Sequence, residues 1–145
     1  KPHKFYNLYN NKISAINFHF DSKDLYLFLK EKLYWKNKKT YSIKLKNLNL
    51  KEKEFNLGFL RGLIDTDGNY YRPKRRISFA TTSRNLAKQS YLIIKENTGL
   101  KPKIYTYIKP QRANLYTISL HGEKAKRLID IIKPSNPSKR YAVVV

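Results

Sequence analysis

FLRGLIDTDG, residues 59–68, is the stretch on which the fold turns. It opens as a helix-like run of apolar and small residues, sets two carboxylates, Asp65 and Asp67, one residue apart, and ends on Gly68. Gly58 and Gly62 stand four apart and so share one helix face. Glycine costs a helix about 1 kcal/mol relative to alanine, so two on one face need a reason. Without side chains there, a second backbone can come very close. Leu57, Phe59, Leu60, Leu63 and Ile64 supply core on the flanks. The pattern predicts a helix over residues 51–65, stopping where Gly68 takes a positive φ. Asp67 then lies at the start of a strand, and a partner helix packed with two-fold symmetry would bring its own acid beside it.

Carboxylates converging in a basic protein point to a hard divalent cation with oxygen ligands, and Mg²⁺ also carries waters and phosphate oxygens. Near DNA, two such ions activate water and stabilise a leaving oxygen. Asp-Gly is also a common turn pair. For Asp65 the plainer role is adopted, tying down the helix terminus. For Asp67 the glycine pair and the basic surroundings favour the metal.

Those surroundings are pronounced. The 145 residues carry 31 Lys and Arg against 10 Asp and Glu, a net charge of +21, with a pI near 10.1. Self-repulsion on this scale opposes folding, and a polyanionic partner accounts for it. Nucleic acid comes first, because neutralised phosphates release counterions. A membrane is not expected, since there is no apolar run of spanning length and no Lys-rich helix with a strongly apolar back. The chain is long enough for one domain, or for one and a fraction. Cysteine is absent, which excludes disulfides and thiolate metal sites, and His3, His19 and His121 make no zinc-spaced pair. Methionine is absent even at position 1, so an upstream segment is expected.

Hydrophobic period maps the remainder. Residues 4–20 read as two strands turning at Asn10-Asn11, and residues 21–33 as a helix capped by Asp21 or Ser22. Residues 40–45 read as a short extended connector. After the 51–65 helix come a hairpin turning near Pro73 and a helix capped by Ser83 and stopped by Gly99. A second hairpin across residues 110–112 and a helix over 123–132 complete the unit. This is an α+β order, αββαββα, with an antiparallel four-stranded sheet and helices on one face. Strand alternation then gathers Asn69, Tyr71, Lys74, Arg76, Ser78, Thr82, Lys103, Tyr105, Tyr107, Lys109 and Thr117 on the uncovered face, a basic and aromatic surface suited to a nucleic-acid groove.

Lys1-Pro2, Lys39 and Tyr41 fall one hundred residues before Lys101-Pro102, Lys139 and Tyr141. Both sets flank two strands and a helix, which suggests a duplication. Residues 1–46 would be the back half of an earlier copy (ββα) plus a connector, and residues 47–145 a complete unit.

LRGLIDTDG resembles the signature of the LAGLIDADG homing endonucleases at seven of nine positions, departing at Arg61 and Thr66. The element order from residue 51 to 143 resembles the family too, as does ISFATTSRNLA (residues 77–87). Arg61 is expected to point outward. The resemblance implies that Asp67 binds Mg²⁺ or another divalent cation such as Mn²⁺, with the Thr66 carbonyl as a further ligand. It also implies that Gly58 and Gly62 lie in a helix interface and that the sheet is a saddle over double-stranded DNA. Lys139 matches a basic residue near the scissile phosphate, and Lys39 is its counterpart in the partial copy.

The expectation is a site-specific endonuclease cutting both strands of a long target, working with a second LAGLIDADG unit, either upstream or in a second chain. The alternative is a catalytically silent relative, an intron RNA maturase or a DNA-binding regulator. A ribosomal-type structural protein would explain the charge but not the glycine pair ending in Asp67. The endonuclease is expected to act in the cytoplasm or at the nucleoid, with an organelle matrix also open. An origin in an intron, an intein or a free-standing gene stays open.

Overall fold

The computed structural model describes residues 3–9, 12–19, 21–36, 39–136 and 139, which fall into two compact units, Lys1–Lys32 and Leu33–Val145. In the first unit, β1 (His3–Tyr9) pairs antiparallel with β2 (Lys12–His19), and α1 (Lys23–Lys32) follows. The turn expected at Asn10-Asn11 lies outside the described residues. Ser22 is the cap of α1, its hydroxyl accepting the Leu25 N–H at 3.1 Å. No residue of α1 is buried.

The second unit begins with β3 (Leu33–Tyr34), paired to β4 (Lys44–Leu45) around a single helical turn, α2 (Lys39–Ser42). The extended connector expected over 40–45 is therefore corrected to a helical turn and a short strand. Non-local bonds shape it: the Ser83 hydroxyl donates to the Ile43 carbonyl at 2.6 Å. Gln89 also brackets Leu45, accepting its N–H at 2.8 Å and donating to its carbonyl at 3.0 Å.

Then follow α3 (Lys53–Asp67), β5 (Gly68–Tyr71), a 3-10 turn at Arg72–Lys74, β6 (Arg76–Thr81) and α4 (Arg84–Thr98). The unit closes with β7 (Lys103–Tyr107), β8 (Leu115–His121) and α5 (Gly122–Ile132). From α3 onward the order is αββαββα. The four strands form one antiparallel sheet in the order β5-β6-β8-β7.

The core lies between this sheet and the three helices. Ile77 and Phe79 of β6 and Ile118 and Leu120 of β8 point inward by strand alternation. They meet Leu60 and Ile64 of α3, Ile93 and Ile94 of α4, and Leu128, Ile129 and Ile132 of α5. Ser83 caps α4 by accepting the Leu86 N–H at 3.2 Å, and Gly99 ends it in the left-handed conformation at φ 71°. The edge strand β7 is exposed on both faces.

Two expectations about the end of α3 are corrected. The helix runs to Asp67 rather than 65, and Gly68 takes an extended conformation, φ −74°, not a positive φ. Glycine is required there by close approach, because a Cβ at 68 would stand 2.3 Å from the Ile64 carbonyl oxygen, which accepts the Gly68 N–H. Gly68→Ala is accordingly expected to destabilise the unit by about 1–3 kcal/mol, read as a lower urea midpoint with an unchanged slope.

The two hairpins share their register. All five pairs of β7 with β8, from Lys103–Ser119 to Tyr107–Leu115, recur one hundred residues earlier, from His3–His19 to Asn7–Ala15. Helices α1 and α5 follow them and end at the same offset, at Lys32 and Ile132.

Candidate functional site

The buried stripe of α3 is Asn56, Leu60 and Ile64, spaced by four. On another face, also spaced by four, stand Gly58, Gly62 and Thr66, all exposed. Added Cβ atoms at Gly58 and Gly62 would meet nothing within 4 Å. Nothing packed against them among the described residues therefore demands glycine at either position. The Thr66 hydroxyl donates to the Gly62 carbonyl at 2.9 Å, so it folds down on its own helix and leaves the stripe low.

At the C-terminal end of the stripe the two acids part. Asp65 accepts the N–H groups of Ser135 and Asn136, each at 3.0 Å, and the Asn136 side chain returns a bond to the Asp65 carbonyl at 3.3 Å. Its anchor is thus the loop after α5 rather than its own helix end. Burial by itself would raise the Asp65 pKa. The N–H groups of Asn136 and Ser135, the Ser135 hydroxyl and the Arg61 charge outweigh it and hold the carboxyl below the usual carboxylate range. A depressed folded-state pKa contributes stability above the unfolded value, near 3.9, and that contribution is lost as pH falls through the folded one. Backbone amides 135 and 136 are therefore expected to keep their hydrogen-exchange protection down to about pH 4 and to lose it below. Asp65→Ala should remove that protection at every pH.

Arg61 does not point outward. It is half-buried, and its Nε–H donates to the Ile132 carbonyl at 2.5 Å, setting a cation against the C-terminus of α5.

Asp67 is exposed, and its carboxylate has no hydrogen bond or ion pair among the described residues. It borders a cleft of about 570 Å³ lined by Thr40, Leu63, Phe79, Leu86 and Leu115 among others. Lys139 is brought to the same end of the helix, its ammonium donating to the carbonyl of Gly68, the residue after Asp67. Lys39 opens α2, whose next residue, Thr40, lines the Asp67 cleft. The Lys39 side chain lies outside the described part of the structure.

No three His, Asp or Glu residues cluster as a metal site among the described residues. The donors present still fit a hard cation in part. The Asp67 carboxylate is an open oxygen donor, and the Thr66 carbonyl sits in the last turn of α3, where carbonyls lack intrahelical donors. The Ile64 and Asp65 carbonyls of that turn already accept the Gly68 N–H and the Asn136 side chain. Water, phosphate oxygens and an acid from a second unit would supply the remaining ligands.

The open face of the sheet carries Asn69 and Tyr71 on β5, Arg76 and Ser78 on β6, Thr117 on β8, and Lys103, Tyr105 and Tyr107 on β7, by the strand registers. Three expected members lie elsewhere. Lys74 is in the 3-10 turn, Lys109 lies beyond the end of β7, and Thr82 lies beyond β6 with its hydroxyl on the Thr40 carbonyl at 2.8 Å. Turn residues fall outside the two-residue alternation that placed them. Two further polar members, Ser119 and His121, belong to the face. The alternation from Thr117 predicts both.

A family profile described as a LAGLIDADG-like domain matches residues 54–133, more than half of the chain. The chain therefore belongs to the LAGLIDADG family. Domains of this family generally bind DNA and pair with one another, and its members are usually nucleases. No curated protein matches the chain.

Proposed function

We propose that this protein is a homing endonuclease that makes a metal-dependent double-strand break in a long DNA site. The observation that supports this most is the placing of Lys139 on the carbonyl of Gly68, the residue after Asp67, at one end of α3, below a glycine stripe that none of the described residues covers. Asp67 and the Thr66 carbonyl would hold Mg²⁺ or Mn²⁺, which supplies activated water and charge stabilisation when bound. Lys139, held by the Gly68 carbonyl, would set a positive charge where the phosphate gains negative charge. Lys39 would do the same for the other strand. Tyr71, Arg76, Lys103, Tyr105 and Tyr107 would face the major groove.

The second unit would pack its own helix against Gly58 and Gly62. The shared hairpin register supports reading residues 1–46 as the back half of a first copy. At the +100 offset, Leu25, Phe28 and Leu29 of α1 correspond to Ala125, Leu128 and Ile129 of α5. The α5 residues are 0%, 2% and 4% exposed, against 41%, 48% and 37% in α1. A front half equivalent to residues 53–100 would cover those apolar side chains.

The test is incubation with a library of DNA sites in Mg²⁺ against EDTA. Cleavage of a discrete site only in Mg²⁺ supports the endonuclease. Salt-sensitive binding without cleavage in either condition favours the silent DNA-binding relative, and stronger retention of intron RNA than DNA favours the maturase.

A further inference from the structure

The open face of the sheet contains a polar pocket of about 440 Å³ whose floor is Ser78 and Ser119, paired across β6 and β8 and both buried. Arg76 and His121, the next registered pair, stand at one end of it. The Ser119 hydroxyl and His121 Nε2 are hydrogen-bonded at 2.8 Å, which fixes the imidazole beside Arg76. The Arg76 guanidinium lies over the Tyr71 ring, 5.7 Å from its centroid. Its Nε–H is buried with no acceptor among the described residues.

We infer that Arg76, positioned by Tyr71, reads a guanine in the major groove and fixes one base of the recognition site. This rests on the DNA-binding reading above. Guanine offers adjacent O6 and N7 acceptors in that groove, which suit the planar fork of an arginine. β6 is an interior strand, so Arg76 faces the base edges, whereas the phosphates of a saddled duplex meet the rims. Stacking on Tyr71 limits the rotamers that would otherwise be lost on binding. Tyr71 acts through Arg76 and is a positioning residue.

Selection from randomised DNA sites in EDTA, with affinities measured over a range of salt, tests the inference. Arg76→Lys keeps the charge and removes the fork. It should lower the preference for guanine at one position about ten- to hundredfold. The salt slope should not change, because the positive charge is kept. Tyr71→Ala should relax the same position, and Tyr71→Phe, which keeps the ring, should restore it. A thermal melt matching wild type excludes misfolding of each variant.

A uniform loss of affinity in Arg76→Ala, with the salt slope flatter by about one and no position relaxed, marks a phosphate contact and overturns the inference. Salt-sensitive binding by the wild type with no enriched guanine also overturns it, while leaving DNA binding intact. Absence of salt-sensitive DNA binding by the wild type overturns the underlying reading instead.

Discussion

Asp67→Asn is expected to lower metal-dependent cleavage by about 10³-fold or more while leaving salt-sensitive DNA binding in place. The asparagine keeps the shape of the side chain and removes the negative charge a hard cation requires. Folding should not change, because the Asp67 carboxylate is exposed and has no partner among the described residues. Substitutions at such surface positions usually alter stability by no more than about 0.5 kcal/mol. Asp65 makes the contrasting control, since its carboxylate ties down residues 135 and 136. Its loss should loosen that loop. If Asp67→Asn instead unfolds the protein or abolishes DNA binding, the carboxylate has a structural role and the proposed chemistry fails.

Replacing both Gly58 and Gly62 with alanine should move stability and assembly in opposite directions. Within the unit, each new Cβ meets no neighbour and each substitution favours the helix by about 1 kcal/mol. The thermal midpoint of the isolated unit should therefore rise by several degrees. Between two closely apposed helices the same methyl groups would force the backbones apart. Association measured by sedimentation should weaken, and cleavage should fall with it. A higher midpoint with unchanged association would show that α3 does not make the contact.

Much of this was legible in the sequence because it rests on local pattern. Strand alternation placed Ile77 and Phe79 inside, and Ser83 and Gly99 bounded α4 through capping and a positive φ, both short-range effects. What escaped depends on residues distant in the chain. The helical turn at Lys39–Ser42 is held in part by bonds to Thr82 and Ser83, some forty positions away. Arg61 turns inward because the C-terminus of α5, seventy-one positions on, offers it a carbonyl. Gly68 was the right residue for a different reason: its neighbour is the Ile64 backbone oxygen, and no reading of turn propensity reports that distance. The site was legible in the same uneven way. The motif singled out Asp67, but the hydrogen bond from Lys139 to the adjacent Gly68 carbonyl spans 71 positions and is seen only in the fold.

The account depends on α3 delivering Asp67 to the axis between two units. Crystals of the protein bound to its DNA site and soaked in Mn²⁺ test this most directly. Anomalous scattering should locate a metal about 2.1 Å from an Asp67 carboxylate oxygen, with a second motif helix crossing α3 at Gly58 and Gly62. A metal bound away from Asp67, or an α3 whose two glycines face solvent in that complex, would contradict it.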